Sequence, residues 1–278
     1  MPRRPSPAGR AAAVLAASVV VGQIASLPLS AAALSLTGGW TLAMMLSSVA
    51  GFGLPGVLSR RHAVGVLPAD KTAGIDLPTS LFVAVLAVVC QPLVEWAGYI
   101  DQAAYAKLWP GVEPLSRQTA EIIASICTFD GAWDWAAAIA SMALVPAVCE
   151  ELCFRGALLP LVRRMTGSWH AAVIVSAAVF SLAHMDMTAF LARTVLGIVL
   201  GAAFVATKSL AAPVLLHFCN NLMVVIVLSQ SADKVKDLTA PAELPELGVT
   251  IMSLFMTIFE VYLIAKTTQI RQTLMGKG

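Results

Sequence analysis

The sequence predicts an all-α polytopic membrane protein, a bundle of about eight transmembrane helices. Three observations carry that fold class. First, 58% of the 278 residues are hydrophobic and only 12% are charged, against roughly 25% charged in a soluble globular chain. Mean hydropathy is +0.82. So few charges cannot cover the surface of a water-soluble domain of this size, which excludes a soluble enzyme, a disordered chain and a disulfide-rich secreted scaffold. Second, the apolar residues gather in runs of about 20, the length that crosses a hydrocarbon core of roughly 30 Å. Third, Lys and Arg are unevenly shared between alternate loops, as membrane insertion requires. The formal charge of +2 is too small to imply a nucleic-acid partner.

The runs follow in order. The first covers 11–36 and is broken by Thr37, Gly38 and Gly39; the second covers 40–58. A basic, turn-rich loop follows, with Arg60, Arg61, His62, Pro68, Lys71 and Pro78. The third run is 79–100. The polar stretch 101–134 comes next, with an amphipathic helix expected over 117–127. The fourth run, 135–164, is long for one span. The fifth is 169–184, the sixth 188–207, the seventh 210–230 and the eighth 247–266, with a polar connection at 231–246 before the last. None alternates with a period of two, so helices are expected rather than barrel strands. No internal repeat or low-complexity tract interrupts the series, and 1–278 reads as a single integral membrane domain with 135–230 as its core.

Charge placement orients the bundle. With the N-terminus in the cytoplasm, Arg3, Arg4, Arg10, Arg60, Arg61, Lys71, Arg163, Arg164, Lys208, Lys266, Arg271 and Lys277 fall inside, twelve of the 18 Lys and Arg. Lys107, Arg117, Lys234 and Lys236 fall outside, and Arg155 and Arg193 lie within spans. Both termini are therefore expected on the cytoplasmic side of what reads as a bacterial cytoplasmic membrane. In an alternative reading the basic start and the Ala-rich run form a signal peptide cleaved near 31–33, which would leave seven helices. Of the five Cys, Cys90, Cys149, Cys153 and Cys219 sit in apolar spans, where Cys packs as a small hydrophobe; no disulfide framework is expected.

Ionisable groups inside a span are costly and mark functional sites. Glu150, Glu151 and Arg155 lie in the fourth run, His184 ends the fifth, and His217, Asn220 and Asn221 lie in the seventh. Residues four apart share a helix face, which pairs Glu151 with Arg155, Phe180 with His184, and His217 with Asn221. A carboxylate, two imidazoles and a carboxamide suit hydrolysis. A carboxylate kept from water can act as a general base near neutrality, and Asn and His can donate to an oxyanion.

Taken in chain order, Glu150-Glu151-x-x-x-Arg155, Phe180-x-x-x-His184 and His217-x-x-x-Asn221 resemble the three motifs of the CPBP family. These are the CAAX proteases and bacteriocin-processing enzymes, also called the ABI family, which include the Ras-converting CAAX endopeptidase. The resemblance covers about 145–225 and the eight-helix plan. It implies an intramembrane endopeptidase in which Glu150 is the general base and His184 helps activate the water. His217 and Asn221 would hold the oxyanion, and Glu151, Arg155 and Phe180 would shape the site. No cofactor is expected on this reading. The same residues leave a metal-dependent alternative open, because Glu150, His184 and His217 make a His₂Glu set of the catalytic zinc type. The implied partners are membrane lipid and a peptide or protein substrate; the prenylated CAAX terminus does not follow for this chain.

Each residue also has a plainer reading. Glu151–Arg155 can be a structural ion pair, His184 an interfacial histidine at a helix end, and His217–Asn221 interhelical glue. Asn220 reads as such glue, and Arg193 is expected to pair with Asp186. Two other functions fit buried Glu and His: a proton-coupled transporter, and a non-catalytic binding or immunity protein of the same fold. The first would call for inverted repeats or broken helices in matching halves, which the sequence lacks.

Overall fold

The computed structural model describes residues 7–62, 74–108, 116–231, 233–235 and 243–275, and every regular element among them is helical. The helices are α1 (Pro7–Thr37), α2 (Trp40–Ser48), α3 (Leu54–His62), α4 (Leu77–Val89), α5 (Gln91–Leu108), α6 (Ser116–Ile126) and α7 (Ala132–Ala138). They continue with α8 (Val145–Cys153), α9 (Leu159–Thr166), α10 (Trp169–Leu182), α11 (Phe190–Thr207), α12 (Ala211–Gln230) and α13 (Leu247–Met275). Of the expected basic loop, Pro68 and Lys71 lie outside the described residues, as do Arg3, Arg4, Lys236 and Lys277.

Among the described residues, seven stretches are long and apolar enough to cross a membrane: Gly9–Thr37, Trp40–Ser59, Leu77–Leu108, Ala132–Thr166, Met187–Thr207, Ala211–Gln230 and Leu247–Thr273. The chain is an integral multi-pass membrane protein. The expectation of eight full spans needs one correction. α10 has 14 residues, about 21 Å at 1.5 Å per residue, short of a core of roughly 30 Å. It ends at Leu182 because the chain turns there: His184 N–H and Met185 N–H donate to carbonyls three residues back, Ser181 and Leu182. Met185 then takes a left-handed φ of 51°. His184 therefore stands two residues past the helix rather than inside a span.

Proline shapes several of the others. Short π-helical turns occupy Val49–Gly53, Ile139–Leu144 and Phe154–Leu158, and each ends two residues before a proline: Pro55, Pro146 and Pro160. Proline has no N–H to donate to the carbonyl four residues back, and its ring crowds that carbonyl. Those carbonyls belong to Gly51, Met142 and Gly156, which lie inside the widened turns. The helix is thereby kept continuous, and Ala132–Thr166 runs for 35 residues. Pro92 acts differently, breaking Leu77–Leu108 at Cys90. There the Gln91 side-chain amide donates to the Ala87 carbonyl at 2.7 Å.

The chain divides into two compact units. The first is Met1–Ala69, Leu115–Ala172 and Asn220–Ala240; the second is Asp70–Pro114, Val173–Cys219 and Pro241–Gly278. In the first, α6 is the expected amphipathic helix. Its Arg117–Glu121 pair is exposed, while Ile122, Ile123 and Ile126 pack with Cys127, Ala138, Val225 and Leu228 beside Trp40, Phe129 and Trp135. Elsewhere in this unit small residues let backbones touch. A Cβ on Gly56 would lie 2.8 Å from the Cys153 nitrogen, and one on Gly53 would lie 2.9 Å from Cys149 Sγ. Lipid supplies no hydrophobic drive between helices, so such close packing is what holds them. In the second unit Gly197 of α11 packs on Ala177 of α10 in the same way, and Ser253 of α13 donates to the Val89 carbonyl at 2.6 Å.

Candidate active site

The first unit holds the carboxylates. α8 places Glu150 and Glu151 in its last turn, and the π turn Phe154–Leu158 follows with Arg155. Glu151 and Arg155 are fully buried, and Glu150 is 7% exposed. Arg155 Nη1 donates to Glu151 Oε1 at 2.7 Å. The acid precedes the base by four residues, the favourable order on a helix. Phe154, next to Arg155, packs against Phe52 with the rings tilted and their centroids 5.5 Å apart. Gly53 and Gly56 bring their backbone against Cys149 and Cys153, so the helix that carries Glu150 and Glu151 is gripped from the residues on either side of them.

The second unit holds the imidazoles. Phe180, 2% exposed, presents its ring to both. His184 lies edge-on at 5.0 Å between centroids and His217 edge-on at 5.8 Å. His217 is buried and His184 is exposed. His184 Nδ1 lies 2.9 Å from the Phe180 carbonyl oxygen. A carbonyl only accepts, so Nδ1 carries the proton, and in the neutral ring Nε2 bears the lone pair. Phe180 therefore fixes both the tautomer and the orientation of His184.

α12 carries His217 and Asn221 four residues apart, and the boundary between the units falls between them. Asn220 Nδ2 donates to Asn221 Oδ1 at 3.1 Å. The acceptor end of Asn221 is thereby engaged, and its amide nitrogen is the end that donates. Asn220 thus orients its neighbour, a role that its reading as interhelical glue did not contain.

The turn after His184 is fixed by a further set of groups, which the sequence revealed only in part. The expected pair forms, with Arg193 Nη2 3.1 Å from Asp186 Oδ2. Arg193 also donates to the Asp186 main-chain carbonyl. Asp186 accepts from the Thr188 N–H and hydroxyl at 2.9 and 2.6 Å. Partial burial pushes the Asp186 carboxyl up, but the Thr188 hydrogen bonds and the Arg193 charge outweigh it and hold the group below the ordinary aspartate value. Asp101 was missed as a functional residue. Expected at the start of a loop, it lies inside α5, is 9% exposed, and accepts from Leu191 N–H and Ala192 N–H at 2.9 Å each. No local signal marks it, because its partners are about 90 residues away in sequence.

Taken within either unit, the described residues gather no group of three or more His, Cys, Asp and Glu that could hold a metal ion.

Residues 132–223 match the family model described as Rce1-like, Type II CAAX prenyl endopeptidase Rce1-like. Through this segment, about a third of the chain, it is similar to the CAAX proteases. The matched segment contains all three motifs, from Glu150 to Asn221. A search of curated proteins and a search of solved structures each return no match. The likeness supports a membrane protease that acts on a peptide or protein. Three observations bear on its motif residues: a buried Glu–Arg pair, two imidazoles on one phenyl ring, and a carboxamide whose polarity is fixed by its neighbour.

Proposed function

We propose that the protein hydrolyses a peptide bond at or within the membrane, using a water activated by Glu150 and His184. Glu150 takes a proton from the water as the oxygen attacks the scissile carbonyl carbon. His217 and the Asn221 amide nitrogen donate to the carbonyl oxygen as it gains charge. The proton then passes to the departing amine as the C–N bond breaks. Glu151 and Arg155 hold α8 in place and keep a positive charge close to Glu150. Hydrogen-bond donors aimed at a developing oxyanion give the largest single contribution in many hydrolases, and a positioned general base adds about 10²–10⁴-fold.

The observation that carries this reading is the pair of imidazoles on Phe180, with His184 Nδ1 bonded to the Phe180 carbonyl. A histidine held in that tautomer keeps its basic nitrogen at Nε2, as proton transfer to or from water needs. The same orientation also suits a metal, since ligating histidines commonly donate their other ring N–H to a carbonyl. In that variant Glu150, His184 and His217 would hold a divalent ion such as zinc, which lowers the pKa of bound water. We place both termini in the cytoplasm on the charge distribution described above, and read the membrane as a bacterial cytoplasmic one from its Ala-rich, Tyr-poor spans.

The test is cleavage by purified protein in detergent or liposomes, after substrate trapping with Glu150→Ala in cells. Glu150→Ala and His184→Ala are expected to abolish cleavage while the protein still inserts and folds. Full cleavage by Glu150→Ala would sink the reading. Wild-type cleavage is expected to survive a strong zinc chelator. Loss that added zinc restores would transfer Glu150, His184 and His217 to the metal variant.

A further inference from the structure

The turn that carries His184 has no regular secondary structure of its own between Leu182 and Met187. It passes through a left-handed residue with a side chain, Met185, a conformation that is strained and persists only where its surroundings hold it. Three contacts hold it. Ser181 Oγ donates to the Phe190 carbonyl at 2.7 Å, tying the end of α10 to the start of α11. Arg193, in the first turn of α11, reaches back to both the carboxylate and the main-chain carbonyl of Asp186. The N-terminus of α11 has no cap of its own, since its N-cap residue is Ala189; Asp101 of α5 supplies one from outside.

These contacts form one chain of fixed points within the second unit. α5 holds the start of α11 through Asp101, α11 holds Asp186 through Arg193, and Asp186 is two residues from His184. We infer that Arg193 and Asp186 are positioning residues for His184, with Asp101 as their anchor. The inference rests on the reading of His184 as a water-activating group. The guanidinium suits the task, because its planar fork can meet a carboxylate and a carbonyl at once. Without this grip, Met185 is free to leave the left-handed region. The His184 backbone then turns, and its Nδ1–H loses the Phe180 carbonyl.

The tests are steady-state cleavage and ¹⁵N-histidine NMR on the full-length protein in detergent. The chain has four histidines, and His184→Gln assigns the His184 signal. Wild type is expected to show His184 mainly as the Nδ1–H tautomer. Arg193→Gln should move it toward the Nε2–H form usual for a free imidazole. It should also lower kcat by on the order of 10²-fold, the effect of a misplacement of about 1 Å, with KM changed less than about twofold. Arg193→Lys, which can meet one acceptor well but not both, should fall between. If Arg193→Gln does not fold, Asp186→Asn carries the same readings. An unchanged His184 tautomer in a folded variant would overturn the inference, whatever happens to cleavage. A shifted tautomer with undiminished cleavage would uphold the positioning and remove His184 from the proposed reaction instead.

Discussion

At the scale of single residues, the buried Glu151–Arg155 pair is the feature whose energetics can be stated most sharply. Both side chains are fully buried and the contact is 2.7 Å. Taking two charges out of water costs several kcal/mol each, and their attraction offsets that only while both are present. Arg155→Met should therefore destabilise the protein by about 3–5 kcal/mol, and Glu151→Leu by a similar amount. The double variant should recover most of the loss, because it removes the charges together. A double-mutant cycle on unfolding in mixed micelles measures this. Additive single effects would show that the two side chains do not act as a pair. Activity separates the roles further: if the pair only holds α8, the stable double variant keeps cleavage, whereas a catalytic part for Arg155 leaves it inactive.

At the scale of elements, the two glycines before α8 make a contrasting pair. An added methyl at Gly53 meets Cys149 Sγ, the tip of a side chain, whereas at Gly56 it meets the Cys153 nitrogen and the Leu152 carbonyl carbon. A side chain can rotate; helix backbone can only be pushed away. Gly56→Ala is expected to cost about 1–3 kcal/mol as overpacking. Gly53→Ala should be close to neutral, since the gain in helix propensity, up to about 1 kcal/mol, offsets a local adjustment. Thermal inactivation midpoints of the two variants check this; equal losses would mean that α3 and α8 do not pack as closely as the backbone implies. The same region shows how much the sequence made legible. The apolar runs, the amphipathic α6 and the i, i+4 pair Glu151–Arg155 could all be read, because each depends on local spacing. Pro55, Pro146 and Pro160 were visible, but their consequence was not. Whether a proline kinks a helix or widens its preceding turn depends on packing around the i−4 carbonyl. The end of α10 at Leu182 and the hydrogen bonds of Asp101 to α11 were illegible for a related reason. Apolar residues continue past the first, and the second joins groups that sequence spacing never brings near each other.

At the scale of the whole molecule, the short α10 decides the number of crossings and hence the side on which the chain ends. If 169–189, the helix with its following turn, counts as a crossing, eight crossings bring the C-terminus back to the side of the N-terminus. If it does not, everything after Thr207 changes sides. With the N-terminus in the cytoplasm, Lys208, Lys266, Arg271 and Lys277 would then lie outside with Lys107 and Arg117, and only Lys234 and Lys236 would move in. That leaves ten positive charges inside and six outside, against twelve and four for eight crossings. Excess Lys and Arg in short cytoplasmic loops and near helix ends is what sets orientation, so eight crossings are favoured. Arg163 and Arg164, just before Gly167, whose left-handed φ of 73° ends α9, lie inside in both arrangements. The expected outcome is that reporter fusions at the N-terminus, after Lys208 and at the C-terminus all report the cytoplasmic side, and a fusion in 231–246 reports the opposite one. A C-terminal reporter on the outside would establish seven crossings and make α10 a helix that enters the membrane without spanning it.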